Sequence, residues 1–163
     1  MPESQAQFIR PPNALRKAKV GSGPAKLDPK LLAKAEAAVD DMQKHYADWA
    51  DEDLTQLEKT LLDIRDADDQ IPHIKTLFRH ALDMKGQGGS FGYDMVTQVA
   101  GSLADFITGR TELKGIDFDV VAAHVQTMRA VFAEDVKGDG GKTGQALMGG
   151  LHAIVAKAAA AKG

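Results

Sequence analysis

The chain has no cysteine. That excludes disulfides and thiolate metal sites. It also has no long apolar run. Its purely apolar stretches are a few residues each, far short of the ~18–20 that span a membrane. No apolar h-region opens the sequence, which argues against a secretory signal and makes the cytoplasm the expected compartment. What is present is 163 residues, enough for one compact domain with a real hydrophobic core plus a tail. The net charge of -3 is unevenly placed. Residues 1–27 hold Arg10, Arg16, Lys17, Lys19 and Lys26 against Glu3 alone, a net +4, which leaves -7 on the remainder. Pro2, Pro11, Pro12 and Pro24 with Gly21 and Gly23 argue against regular structure there. The expectation for 1–27 is a basic, flexible, solubilising tail; contact with nucleic acid or lipid is the lesser reading.

From residue 28 the pattern is helical. Asp28-Pro29 reads as an N-cap followed by proline in the first turn. Leu31, Leu32, Ala35, Ala38, Val39, Met42, Tyr46 and Trp49 recur at helical spacing, as do Leu54, Leu57, Leu61 and Ile64. Between them, Asp51-Glu52-Asp53 suits a helix N-terminus, so a kink or short break near residue 50 is favoured over one long helix across 29–67. Ile74, Leu77, Phe78 and Ala81 give the next stripe, which Gly86, Gly88 and Gly89 are expected to stop. Val96, Val99, Ala100, Leu103 and Ile107 mark a helix over 93–108. Asp117 is placed to cap a helix carrying Val120, Val121, Val125, Met128, Val131 and Phe132. An alanine-rich helix with Leu147, Leu151, Ile154 and Val155 closes the chain over 143–161, where Gly149 and Gly150 either weaken it or admit another backbone. No stretch alternates like a strand. The fold class is therefore all-α, an antiparallel bundle with short connections.

One stretch, residues 80–92, points to a role. A helix turns ~100° per residue, so Leu82 lies on one flank of the core face set by Ile74, Leu77, Phe78 and Ala81. His80 lies on the other flank, ~160° away. Lys85 and Gly86 follow Leu82 by three and four residues and share its side. An apolar side chain, a cation and bare backbone then sit together near a helix end. The plain alternative is that Leu82 is semi-exposed packing, Lys85 suits a helix C-terminus and the glycines turn the chain.

Leu82-Asp-Met-Lys-Gly-Gln-Gly-Gly-Ser-Phe-Gly92 resembles the signature of histidine-containing phosphotransfer (HPt) domains. In that family a histidine is followed by lysine three later, glycine four later and a second glycine ten later, after an aromatic. Lys85, Gly86, Gly92 and Phe91 match those places. The resemblance implies a four-helix core at about 51–137, with an extra N-terminal and an extra C-terminal helix. It implies a response-regulator receiver domain or a histidine kinase as partner. The phosphoacceptor position holds Leu82, and leucine has no nucleophilic atom. The expectation is thus a degenerate, non-catalytic member that binds through Leu82, Lys85, Gly86, Gln87, Gly89, Phe91 and Gly92. One alternative is phosphotransfer through His80, which would require the helix to rotate by nearly half a turn. Another is a structural or oligomerising bundle unrelated to phosphorelay.

Other motifs fail on spacing. Gly141-Lys142-Thr143 resembles the end of a P-loop, but the glycine needed five residues earlier is Val136. Asp66, Asp68 and Asp69 lack an EF-hand continuation. His45, His73, His80, His124 and His152 are scattered; His73 and His80 share a face without a carboxylate, and His124 falls in a core stripe as a satisfied, partly buried histidine. No serine-hydrolase elbow is present. No metal, cofactor, nucleic-acid partner or membrane partner is expected, and the oligomeric state is open.

Overall fold

A computed structural model describes residues 28–161; the tail expected at 1–27 lies outside the described residues. Five helices follow in order: α1 (Pro29–Asp66), α2 (Ile71–Ser90), α3 (Asp94–Ile107), α4 (Ile116–Ala133) and α5 (Gly141–Ala160). No strand occurs among the described residues. Contacts divide the chain after Ala38. The described part of the first unit is the opening of α1, where the Asp28 carboxylate accepts from the Lys30 N–H at 2.9 Å. This is the N-cap that Asp28-Pro29 predicts.

The second unit, from Val39 on, is the bundle. Its buried face comprises the expected stripes, with Leu54, Leu57 and Ile64 of α1 against Leu77, Ala81 and Met84 of α2, Val96, Val99 and Leu103 of α3, and Val121, Val125 and Met128 of α4. Leu151 and Ala158 of α5 join this core, which therefore reaches from Tyr46 to Ala158, past the 51–137 span. Arg129 of α4 ties to α1 through Glu58, at 3.0 Å, and Asp51.

Three local expectations are corrected. First, α1 is continuous. The segment 47–53 contains no glycine or proline to break it, and Ala50 and Leu54 keep Tyr46's buried face in phase. Second, the glycines at 86–89 do not stop α2, which runs to Ser90. The stop is a Schellman motif two residues later: Tyr93 N–H donates to the Gly88 carbonyl (2.9 Å), Gly92 N–H donates to the Gly89 carbonyl (3.2 Å), and Gly92 supplies the left-handed residue at φ +79°. The turn is pinned from outside, because Gly138 N–H donates to the Gly92 carbonyl and Met95 N–H to the Gly138 carbonyl, both at 2.8 Å.

Third, Asp117 is not an N-cap. Gly115 holds that position, while Asp117 is buried within the first turn of α4. Its carboxylate accepts from Lys114 N–H (3.0 Å) and pairs with Arg110 (3.4 Å). Much of the apolar stripe at 31–49 is exposed. Leu31, Leu32, Val39, Met42 and Trp49 are exposed, whereas Tyr46 is buried. In α5, nothing among the described residues lies within 4 Å of a Cβ placed on Gly149 or Gly150.

Candidate functional site

The site begins with the phase of α2. Ala81 and Met84 point into the core, so Leu82 and Lys85 turn outward. Leu82 is 42% exposed, a large aliphatic side chain with much of its surface in water. Gly86 is exposed, and nothing among the described residues lies within 4 Å of where its Cβ would be. Gly89 is also exposed. The structure thus brings Leu82, Lys85, Gly86 and Gly89 to the outer side of α2.

The remaining expected residues divide differently. Gln87 is partly buried. Phe91 is half-buried and stacks on Tyr46, with centroids 4.1 Å apart and planes 16° from parallel. Its contribution is to the aromatic cluster of Tyr46, Tyr93 and Phe132. Gly92 acts through its backbone, ending α2. Gly88, absent from the expected set, governs how close α3 comes: a Cβ there would meet Thr97 Oγ1 at 2.8 Å, Thr97 N at 2.9 Å and the Tyr93 carbonyl at 3.0 Å. Thr97 Oγ1 also donates to the Lys85 carbonyl at 3.1 Å. The outer surface of α2 is therefore held against the start of α3 by a glycine contact and a side-chain hydrogen bond.

Lys85 leans over α3. Its Cε lies 3.4 Å, and its Nζ 3.7 Å, from the place a Cβ on Gly101 would occupy. From there Lys85 lines a groove of about 920 Å³ shared by α3 and α5, whose walls include Ser102, Phe106, Arg110 and His152. Arg110 is already committed: its Nε donates to the Phe106 carbonyl (2.6 Å), its guanidinium lies over the Phe106 ring (3.9 Å) and it pairs with Asp117.

His80 is partly buried. Burial raises the Asp53 carboxyl above its ordinary value, and the nearby His80 opposes that rise. By the ~100° turn per residue of α2, His80 and Leu82 fall ~160° apart around the helix.

His124 is fully buried. Its Nδ1 lies 2.7 Å from the Val120 carbonyl, which can only accept, so Nδ1 carries the proton and Nε2 accepts from the Ser102 hydroxyl at 3.0 Å. Burial lowers its pKa and keeps it neutral. This pairing satisfies a core imidazole. Sequence reasoning missed Ser102 because it lies 22 residues from His124 on another helix.

Among the described residues no group of three or more His, Asp or Glu could hold a metal ion, and no helix is long and apolar enough to cross a membrane. No family model, curated protein or solved structure matches this chain.

Proposed function

We propose that this bundle is a non-catalytic, HPt-like docking module that binds a receiver domain or a histidine kinase of a two-component phosphorelay in the cytoplasm. The observation that carries the reading is Leu82, 42% exposed on the outer side of α2 beside the open backbone of Gly86. That is where the resemblance puts the reactive histidine. A side chain without a nucleophilic atom does no phosphoryl chemistry. Burying a leucine in an interface, however, contributes up to ~1.5–3 kcal/mol, less what Leu82 already has covered. The bare backbone at Gly86 lets a partner helix approach closely, and Lys85 offers one cation at the edge of the patch. Phosphotransfer through His80 is not part of this reading, because helical geometry sets His80 ~160° around α2 from Leu82.

The test is a binding screen of the full chain against the receiver domains and kinases of its host. Leu82→Asp should weaken any complex at least tenfold, ~1.4 kcal/mol, while leaving the unfolding midpoint within ~0.5 kcal/mol of wild type. Absence of binding to every receiver and kinase removes the proposal. Transfer of radiolabelled phosphate to the wild-type chain, abolished by His80→Ala, would replace it with a working phosphotransfer protein.

A further inference from the structure

A second concavity lies between the opening of α2 and the turn that ends α3. It has a volume of about 250 Å³. Ile74 and Ile107, both buried, and the partly buried Phe78 give it apolar walls. Lys75 and Arg110 are its charged residues, and among the described residues no carboxylate joins the lining. The larger groove between α3 and α5 differs. There Asp105 shares the wall with Lys85 and His152, so that groove selects no sign of charge. At ~30 Å³ for each water-sized group, the small pocket holds on the order of eight non-hydrogen atoms. It lies below the ~300–1,000 Å³ of sites for drug-sized ligands.

The local fold sets the two cations. Lys75 is exposed and stands three residues before Phe78, so its stem can cover apolar surface while its ammonium meets water. It forms no ion pair among the described residues. Arg110 is fixed by the Phe106 carbonyl, the Phe106 ring and Asp117, with 20% of its side chain exposed. The C-terminus of α3 would by itself repel an anion. Its carbonyls are occupied, however. That of Ala104 accepts from the Thr108 N–H (3.0 Å) and hydroxyl (2.8 Å), that of Phe106 from Arg110 Nε, and that of Ile107 from the Arg110 N–H (3.0 Å). The facing wall is the opening of α2, whose positive end favours an anion. Asp69, just before α2, accepts from the Ile71 N–H at 3.1 Å and lies outside the lining.

We propose that this pocket binds a compact apolar carboxylate, with one ring or branched chain against Ile74, Phe78 and Ile107 and the carboxylate on Lys75 and Arg110. The apolar walls take the body of the ligand out of water. Charge selects a monoanion. Asp117 balances Arg110, so Lys75 supplies the one positive charge left for the ligand. A phosphate monoester, at about -1.5 to -2, exceeds it. Arg110 adds directed N–H donors from a side chain already held in place, so little freedom is lost on binding. The inference does not rest on the docking reading, because Leu82 is not part of the pocket.

The experiment titrates the full chain with benzoate and with isovalerate and follows the amide chemical shifts. At least one of the two should saturate in the millimolar range or below, with the shifts centred on Lys75, Phe78 and Gly109. Benzyl alcohol, the same ring without the charge, should bind at least threefold more weakly than benzoate, and benzylamine more weakly still. Lys75→Gln, at an exposed position, should weaken carboxylate binding at least threefold and leave the unfolding midpoint unchanged. Leu82→Asp should leave the titration as in wild type, which separates failure here from failure of the docking proposal. Four results would each overturn the inference: no saturable shift with either carboxylate, benzyl alcohol bound as tightly as benzoate, undiminished binding in Lys75→Gln, or shifts centred on Met148 and His152 of the larger groove.

Discussion

Gly86 and Gly88 are two residues apart in one helix, and the same substitution should act on them with opposite sign. At Gly88 an added methyl meets the Thr97 amide nitrogen at 2.9 Å and the Tyr93 carbonyl at 3.0 Å, with Thr97 Oγ1 nearer still. Two of these three atoms are backbone, so relief requires α3 to move away from α2 and strains the hydrogen bond from Thr97 to the Lys85 carbonyl. Forced overpacking costs about 1–3 kcal/mol. Replacing a helical glycine by alanine returns about 0.5–1 kcal/mol through the unfolded chain. Gly88→Ala should therefore destabilise by about 1–2 kcal/mol. At Gly86 nothing lies within 4 Å, so only the favourable part remains and Gly86→Ala should stabilise by about 0.5–1 kcal/mol. Urea unfolding resolves a gap of this size between the two variants, with the slope unchanged in both. A Gly88→Ala protein as stable as wild type would refute the close approach of α2 and α3. A destabilised Gly86→Ala protein would refute the open surface on which the docking reading rests.

Two further perturbations follow from buried polar groups. The Tyr46 hydroxyl is buried with no hydrogen-bond partner among the described residues, and burial pushes its pKa up to about 12. Tyr46→Phe should be neutral or stabilising by up to ~1 kcal/mol in urea unfolding, and a loss above ~1 kcal/mol would show that the hydroxyl has a partner. His124 has a pKa lowered by burial, so below the ordinary imidazole value the unfolded chain binds a proton that the folded chain does not. Stability should therefore fall as pH drops from about 6.5 toward the lower folded value. His124→Gln should flatten that part of the profile, and an unchanged slope in the variant would assign the dependence to other groups.

The stripes in α2, α3 and α4 were legible because an apolar residue every three or four positions leaves few alternatives to a buried helix face. Gly92 was legible only as a matched position; its physical task, the left-handed residue of a Schellman motif, needed the hydrogen bonds of Tyr93 and Gly92 back to Gly88 and Gly89. Phe91 is expected at a recognition surface; what the sequence could not show is that this half-buried ring also stacks on Tyr46 from 45 residues away. Gly88 carried no signal of its own, since a helical glycine that only turns the chain and one that admits another helix look alike in sequence.

The sequence by itself determined that the described chain is helical, where most helices start, and that Leu82, not His80, shares a side with Lys85 and Gly86. Those follow from local propensity and from a fixed turn per residue, which need no knowledge of neighbours. Tertiary structure alone decided that α1 runs unbroken from Pro29 to Asp66, that α2 continues through its glycines, and which apolar residues are covered. Burial is a property of what packs against a face. The apolar residues from Leu31 to Trp49 and those from Leu54 to Ile64 recur at the same spacing in one helix, yet Leu54, Leu57, Leu61 and Ile64 are buried in the core while Leu32, Val39, Met42 and Trp49 are about half exposed.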